Sequence, residues 1–251
     1  MWGPGLEGWA ASRAVLAGEA PYLPAPAPAP PPTILPPTER RRAGPVVRLA
    51  LTVAQEAAAA SGIPPGELRA VFGSSNGDGV VVGGILDALS GGDDVARVVS
   101  PTQFHNSVHN AAAGYWSIAN GSRQPATCLG AHDWTWAASL LKAVVEVAAE
   151  RQPVLLCCYD HPLPSPLDVL RPTAAPFGAG LVLAPDGDGP VLRLALGEGG
   201  ARPDTLGPAL DALAAGNAAA RALPLLAALA RGGAGTHRLA YLDGHLVVEV
   251  G

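Results

Sequence analysis

The sequence predicts one α/β domain, and three stretches carry that prediction. Residues 68–72 (LRAVF) form a short β-type run, followed by Gly73-Ser74-Ser75-Asn76-Gly77-Asp78-Gly79 and an apolar segment over 80–90. That is the order strand, glycine turn, helix of an α/β crossover. The order recurs at 123–150, where a short strand over 123–127 meets the turn Cys128-Leu129-Gly130 and a long apolar helix over 132–150. Residues 154–159 (VLLCCY) are continuously apolar, as strands buried on both faces are.

Composition bounds the rest. A chain of 251 residues with 49% apolar residues can bury a sizeable core, and with aromatics at only 5% that core is built from Ala, Leu and Val. The net charge of -5 offers nucleic acid no basic field. Three cysteines, two of them adjacent, are no disulfide framework and fit a reducing compartment. The start, MWGPGLEGW, lacks a basic region followed by an apolar run, so no signal peptide is expected. The longest apolar stretch, 134–149, contains Lys142 and Glu146 and is too short for a bilayer. The expectation is a soluble cytoplasmic protein, a single domain over 1–251.

The elements follow in order. Trp2-Gly3-Pro4-Gly5 reads as a turn, and residues 9–17 as a short helix. Residues 21–37 (PYLPAPAPAPPPTILPP) are a proline strap. Each proline fixes φ and lacks a donor, so the strap is extended and lies outside helix and central strand. It reads as a stiff surface connection, with an SH3-type ligand as the other reading. Glu39-Arg40-Arg41-Arg42 leads into a helix over 45–61, with Val46, Leu49, Val53 and Ala57 at helical spacing, Pro45 in the first turn and Gly62 at the stop. The three arginines are either a solvated cluster or a greeting for an acidic partner. The helix over 80–90 closes at Gly91-Gly92, and another covers 106–120 with Gly121 as its cap. A proline-rich loop fills 160–176, and residues 178–184 and 191–196 read as a hairpin across 185–189. An Ala/Leu-rich helical region covers 205–231, and a second hairpin pairs 238–242 with 246–250.

Chemistry concentrates between residues 100 and 147. This stretch holds an HxxxH pair, Cys128 and three of the five tryptophans. A cysteine at a strand-to-helix turn faces the positive end of the helix dipole, which lowers a thiol pKa. A nucleophile also needs a base, and His132, His105 and His109 are the candidates. The other reading of Cys128 is a small buried residue. His105 and His109 have the spacing of helical zinc ligands, but Asn106 stands where HExxH has its glutamate and no third ligand is at hand. No metal is expected, and His109 with Asn110 is read as ordering the loop under the Cys128 turn. Gly73-Ser74-Ser75-Asn76-Gly77 fits GxSxG, the serine-hydrolase elbow with Ser75 as nucleophile. A plain tight turn explains it as well. Cys157 and Cys158 are read as core filler.

Several runs then resemble one family. GPGLEGWAASRAVLAGEAPY, the strap ending LPPTERRRAG, VVRLALTVAQEA, VFGSSNGDG, SPTQFHNSVHNAAAGYWSIANG and WTWAASLLKAV are similar to β-ketoacyl synthases. Within them they resemble the short ketosynthase-like chain-length factors of aryl polyene and related type II polyketide or fatty-acid gene sets. The resemblance covers most of residues 3–185, and the SPTQFHNSVHN run is its most specific part.

The resemblance implies a thiolase-like half-fold, a mixed five-stranded sheet between helices, with a C-terminal helical segment and hairpin. It implies that the strand at Gln124 to Thr127 pairs with its equivalent in a partner subunit. It places Cys128, five residues before Asp133, at the nucleophile position. Three departures accompany it. The family's second half, with two catalytic histidines and a lysine, has no counterpart after Cys128. The turn reads CLGAHD where small residues are usual. Relatives have a first strand ahead of the GPG at Gly3-Pro4-Gly5.

The expected function is a non-catalytic chain-length-factor subunit that pairs with a full-length ketosynthase and shapes the acyl tunnel. Phe104, His109, Tyr115, Trp116, Gln124, Thr127, His132, Trp134 and Trp136 are the expected interface and tunnel residues. No cofactor is expected beyond acyl-phosphopantetheine brought by an acyl-carrier protein, and neither nucleic acid nor membrane is an expected partner. The alternative is a minimal acyl transferase that uses Cys128 as acyl acceptor.

Overall fold

The structure, a computed structural model, describes residues 1–90, 98–201 and 204–251. The chain opens with two short strands, β1 (Trp2–Gly3) and β2 (Leu6–Glu7), paired antiparallel where the sequence suggested only a turn. Gly5 turns them at φ 64, and a Cβ there would strike the Leu23 carbonyl, so only glycine fits. The proline strap docks on this hairpin. Its carbonyls accept where its prolines cannot donate: Ala25 from the Gly5 N–H at 2.8 Å and Ala27 from Trp2 Nε1 at 3.0 Å. Helix α1 (Trp9–Ala17) follows as expected.

A short helix not foreseen in the sequence, α2 (Pro37–Arg42), ends the strap. Arg40 is committed to the strap, donating to Thr33 and Leu35 carbonyls. Helix α3 (Pro45–Ser61) matches the expected bounds and stops at Gly62, φ 69. Strand β3 (Arg69–Gly73) leads through the glycine turn to α4 (Gly79–Ser90). The expected stop at Gly91-Gly92 lies outside the described residues. The single helix expected over 106–120 is two, α5 (Pro101–Ser107) and α6 (Ala111–Asn120). Ser100 and Gln103 form a capping box that starts α5 early, and Val108 then turns extended at φ -76, ψ 141.

The remaining elements are β4 (Ala126–Leu129), α7 (Thr135–Glu150), β5 (Val154–Asp160), α8 (Leu167–Leu170), β6 (Phe177–Leu183), β7 (Leu192–Gly197), α9 (Pro208–Gly216), α10 (Leu223–Arg231), β8 (Gly235–Tyr241) and β9 (Gly244–Val250). Helix α8 interrupts what the sequence offered as loop. The first expected hairpin does not exist. β6 runs antiparallel to β5, from Val154↔Leu183 to Asp160↔Phe177, while β7 pairs with β9. The inner end of β6 is fully buried at Phe177 and Ala179, so it gains more by completing the main sheet than by pairing with the half-exposed β7.

The main sheet has the order β2-β1-β6-β5-β3-β4, and a second sheet has the order β7-β9-β8. β3 is central, parallel to β4 and β5, so the sheet is mixed, with six strands where five were implied. Its two faces feed two cores. Phe72, Leu155 and Cys157 meet α3 and α6. Val71, Leu156 and Cys158 meet α1, α7 and α10. The adjacent cysteines thus sit back to back, both fully buried, as expected of core filler. No helix of the described residues is long and apolar enough to cross a membrane.

Candidate functional site: the β4 edge and the strand-to-helix elbow

Strand β4 ends the main sheet. Among the described residues it pairs with β3 alone, from Ala70↔Ala126 to Gly73↔Leu129. The ladder begins where Ala70 N–H donates to the Pro125 carbonyl at 3.1 Å, and ends where Ser74 N–H donates to the Leu129 carbonyl at 3.1 Å. Alternate residues of a parallel strand bond to opposite sides. Residues 125, 127 and 129 therefore face β3, and Ala126 and Cys128 turn their main-chain N–H and C=O to the open edge. The strand lies two to three residues later than the sequence indicated, because Pro125 has no N–H to extend the ladder. Gln124 precedes the strand, its N–H held by Ser122 Oγ at 3.2 Å.

Cys128 is thus inside a strand and not at the turn. Its side chain packs on the core of α3 and α6, whereas its neighbour Leu129 packs on the core of α7. The N-terminus of α7 lies on the other face of the sheet from the thiol and cannot lower its pKa. Burial pushes it up instead, to about 11. The expected thiolate is not what this geometry favours.

The turn itself is Gly130-Ala131-His132. His132 adopts φ 51, an uncommon backbone for a residue with a side chain, and points into solvent. Thr135 holds the turn, its Oγ1 donating to the His132 carbonyl at 2.7 Å and accepting from Ala131 N–H at 3.0 Å. Gly130 is required for space, since a Cβ would meet the Ser74 carbonyl at 2.8 Å and His109 Nε2 at 3.4 Å. His109 Nε2–H donates to that same carbonyl at 2.9 Å, so it braces the β3 turn beside the elbow, close to the role expected of it. His105 is turned away, its ring edge-on to Tyr115 at 5.9 Å.

Asp133, just after the elbow, is the hub of an ion cluster. It takes Arg171 at 2.6 Å and Arg221 at 2.9 Å. Burial works against its charge, but the Arg171 hydrogen bond and the two positive charges outweigh it and hold the carboxyl below its usual value. The cluster ties the loop before β6 and the tight turn over Ala219–Ala222, just ahead of α10, to the elbow. Arg171 and Arg221 carry no local sequence signal, since nothing in their own segments marks either as a partner for Asp133.

A second, buried network underlies the β3 turn. Asp160 Oδ1 accepts from Ser74 Oγ at 2.9 Å, Ser75 N–H at 2.8 Å and Asn76 N–H at 3.0 Å. Its Oδ2 is buried with no partner among the described residues. Burial pushes Asp160 up to about 6, against those hydrogen bonds. Ser75 Oγ accepts from Arg171 at 2.8 Å, so the GxSxG serine is held by a cation and not by a base. The turn is structural in this respect.

The sequence model of the β-ketoacyl synthase N-terminal domain matches residues 14–236. The chain belongs to that family. No curated protein matches it. Among solved structures the fold is similar to "Ketosynthase (ApeO) in Complex with its Chain Length Factor (ApeC) from Xenorhabdus doucetiae", with a TM-score of 0.73 and 19% identity, covering 98% of this chain and 94% of that one. It is also similar to "The ishigamide ketosynthase/chain length factor", at 0.66 and 15%, covering 99% and 97%. A β-ketoacyl synthase from Burkholderia phymatum STM815 matches at 0.53 and 20%, over 69% of this chain and 49% of that one. At these identities the likeness is one of fold, and it is that of thiolase-like ketosynthases.

Within this ketosynthase-family fold the predicted interface and tunnel residues divide sharply. Tyr115, Trp116 and Trp136 are 3%, 1% and 1% exposed. They fill the chain's own cores and line no open surface. Trp134 and Thr127 are half-buried. Phe104 is 68% exposed. It stands near an apolar surface that sequence reasoning missed: α4, of which only Gly79 is buried, packs on α5 and exposes Val80, Leu86 and Leu89. The signal was present in GVVVGGILDALS, which is apolar on every side and so has more apolar surface than one core face can cover.

Proposed function

We propose that the chain is a ketosynthase-like chain-length-factor subunit. It would pair with a full-length β-ketoacyl-ACP synthase in a cytoplasmic type II polyketide (aryl polyene) or fatty-acid-like pathway and shape the tunnel for the growing acyl chain. One observation carries the reading: an unpaired β4 edge stands on a subunit that also exposes the apolar side chains of α4 and α5. A bare edge invites strand addition, and exposed Phe104, Val80, Leu86 and Leu89 are apolar surface of the kind protein interfaces cover. The near-complete coverage of chains in two ketosynthase/chain length factor structures supports it, against half of the Burkholderia synthase.

In this reading the subunit does no condensation. A condensing cysteine must be a thiolate at the moment of acyl transfer, and Cys128 is a protonated thiol turned from the α7 dipole. The subunit contributes shape. Phe104, the most exposed of the predicted aromatics, is the side chain best placed to enter a partner's tunnel and limit its depth. The acyl chain would arrive on phosphopantetheine from an acyl-carrier protein. The test is co-expression with a full-length ketosynthase from the same genome, size-exclusion chromatography, and product analysis with and without this chain. A chain that elutes alone and leaves product length unchanged would refute the reading.

A further inference from the structure

The second sheet ends in an open edge. In the order β7-β9-β8, strand β8 has β9 as its one neighbour among the described residues. Val191 and Gly251 exchange main-chain hydrogen bonds, at 2.7 and 3.0 Å. Bonded and unbonded pairs alternate along an antiparallel ladder. Glu249, Val247 and His245 therefore bond to β7, and Val248 and Leu246 to β8. Their β8 partners, His237 and Leu239, face β9. Thr236, Arg238 and Ala240 turn their N–H and C=O to the open side, and the main chain of these three makes no hydrogen bond among the described residues.

A cavity of about 410 Å³ lies along this edge and is lined by three consecutive residues, Arg238, Leu239 and Ala240. Side chains alternate across a strand: Leu239 is turned inward and buried, Arg238 and Ala240 outward and exposed. What the three share toward the cavity is main chain. Across from it stand Ala137 of α7, Ala214 of α9 and Pro224 of α10, short side chains that leave room for a branched one. The cavity thus occupies the place of a fourth strand.

The two faces of that place differ in charge. The carboxylates of the lining belong to the inward side: Asp133 at the elbow before α7, Asp204, which meets the inward His237 Nδ1 at 2.5 Å, and Asp211 of α9. Outward stands Arg238, with Val247 opposite it on β9 and no ion pair among the described residues. An incoming acidic side chain is disfavoured inward and favoured outward. A second copy of β8 centred on the same residue would set Arg238 against its own equivalent, like charges directly across the pair.

We propose that the β8 edge binds an extended peptide segment of a partner protein by strand addition, its apolar side chains turned into the cavity and an acidic one outward beside Arg238. Main-chain hydrogen bonds supply the affinity and the alternating side chains the choice of partner. The added strand runs antiparallel, like the rest of this sheet, so the residue opposite Arg238 exchanges its own N–H and C=O bonds with it. The site is on the other sheet from β4 and needs no ketosynthase subunit.

The test is fluorescence anisotropy of the full chain with three dye-labelled, end-capped pentapeptides: alternating glutamate and valine, alternating lysine and valine, and the glutamate peptide N-methylated at its central residue. The glutamate peptide should bind with a Kd below about 1 mM and about tenfold tighter than the lysine peptide. N-methylation, which removes a main-chain donor and leaves the charges, should weaken it at least about tenfold. Arg238→Gln should bring the glutamate and lysine peptides together. Ala240→Pro deletes an outward N–H and leaves the ladder to β9 whole, so it should lower affinity for the glutamate peptide while circular dichroism shows the fold kept. Ala126→Pro, on the other sheet, should leave peptide binding unchanged. No binding of the glutamate peptide, equal binding of the lysine peptide, or an N-methylated peptide that binds as well as its parent would each overturn the proposal. So would a concentration-dependent dimer that Ala240→Pro dissolves, which would give the edge to a second copy of the chain.

Discussion

Cys128 stands opposite Phe72 in the parallel β3–β4 register, and both side chains pack toward α3 and α6. The helix whose N-terminus could activate the thiol, α7, is on the other face. With its pKa pushed to about 11 by burial, the thiolate fraction near pH 8 is on the order of one part in a thousand. Iodoacetamide should therefore label Cys128 far more slowly than a free cysteine peptide at pH 8, with the rate still climbing above pH 9. Intact mass at timed quenches reads this. Fast labelling at pH 7 that reaches a plateau would contradict the geometry.

Asp160 gives a pH signature of opposite sign to most carboxylates. Its folded value is raised, to about 6 from 3.8, so the folded state holds the proton more tightly than the unfolded chain. The cost of burying the charge is fully present above about pH 6 and is relieved as pH falls toward 4, by about 2 to 3 kcal/mol. Urea midpoints measured between pH 7 and 4.5 should rise on acidification in the native chain. Asp160→Asn keeps an oxygen for Ser74, Ser75 and Asn76 and should flatten that rise. Asp133 and Glu146, held low by their basic partners, weaken the fold only at still lower pH, so the comparison of the two proteins isolates Asp160. A parallel pH dependence in both would remove it as the source.

The Asp133 cluster makes a third prediction. Asp133→Asn leaves Arg171 and Arg221 without their carboxylate, at a site about one-third exposed. Solvent screening limits the loss to about 1 kcal/mol, and it should shrink in 1 M salt. A double-mutant cycle with Arg221→Gln should return a coupling energy of similar size. Simple additivity of the two changes would mean that the pair contributes nothing.

What the sequence showed and what it hid follow from the range of the interactions. The bounds of α1, α3 and β5 were legible because caps and apolar runs are local: Pro45 and Gly62 punctuate α3 without help from the rest of the chain. The pairing of β6 was not, since Gly178 and Ala179 could serve a hairpin or a sheet, and only the buried neighbour Tyr159 on β5 decides it. Cys128 reads as the start of the turn because the local pattern ends the strand at Thr127, two residues early. One proline, Pro125, shifts the strand forward and takes the cysteine with it. Arg171 and Arg221 meet Asp133 only through the tertiary fold.

The last prediction concerns the free edge. Because residues 125 and 129 bond to β3, Ala126 and Cys128 present their main-chain groups outward. Ala126→Pro deletes one outward N–H and leaves the inward ladder whole. Proline is tolerated on an edge strand with its nitrogen facing away from the ladder, so the chain should keep its fold with a stability change near 1 kcal/mol or less. Thr127→Pro, one residue on, deletes an inward N–H and should cost the chain itself more. If β4 is the pairing edge, Ala126→Pro should weaken association with a co-expressed ketosynthase at least about tenfold, since it unmakes one inter-subunit hydrogen bond and leaves the facing carbonyl unpaired. Circular dichroism melts and analytical size exclusion on the two variants read the two effects separately. A complex that forms undiminished with Ala126→Pro would place the interface elsewhere, with the exposed face of α4 and Phe104 the next surface to alter.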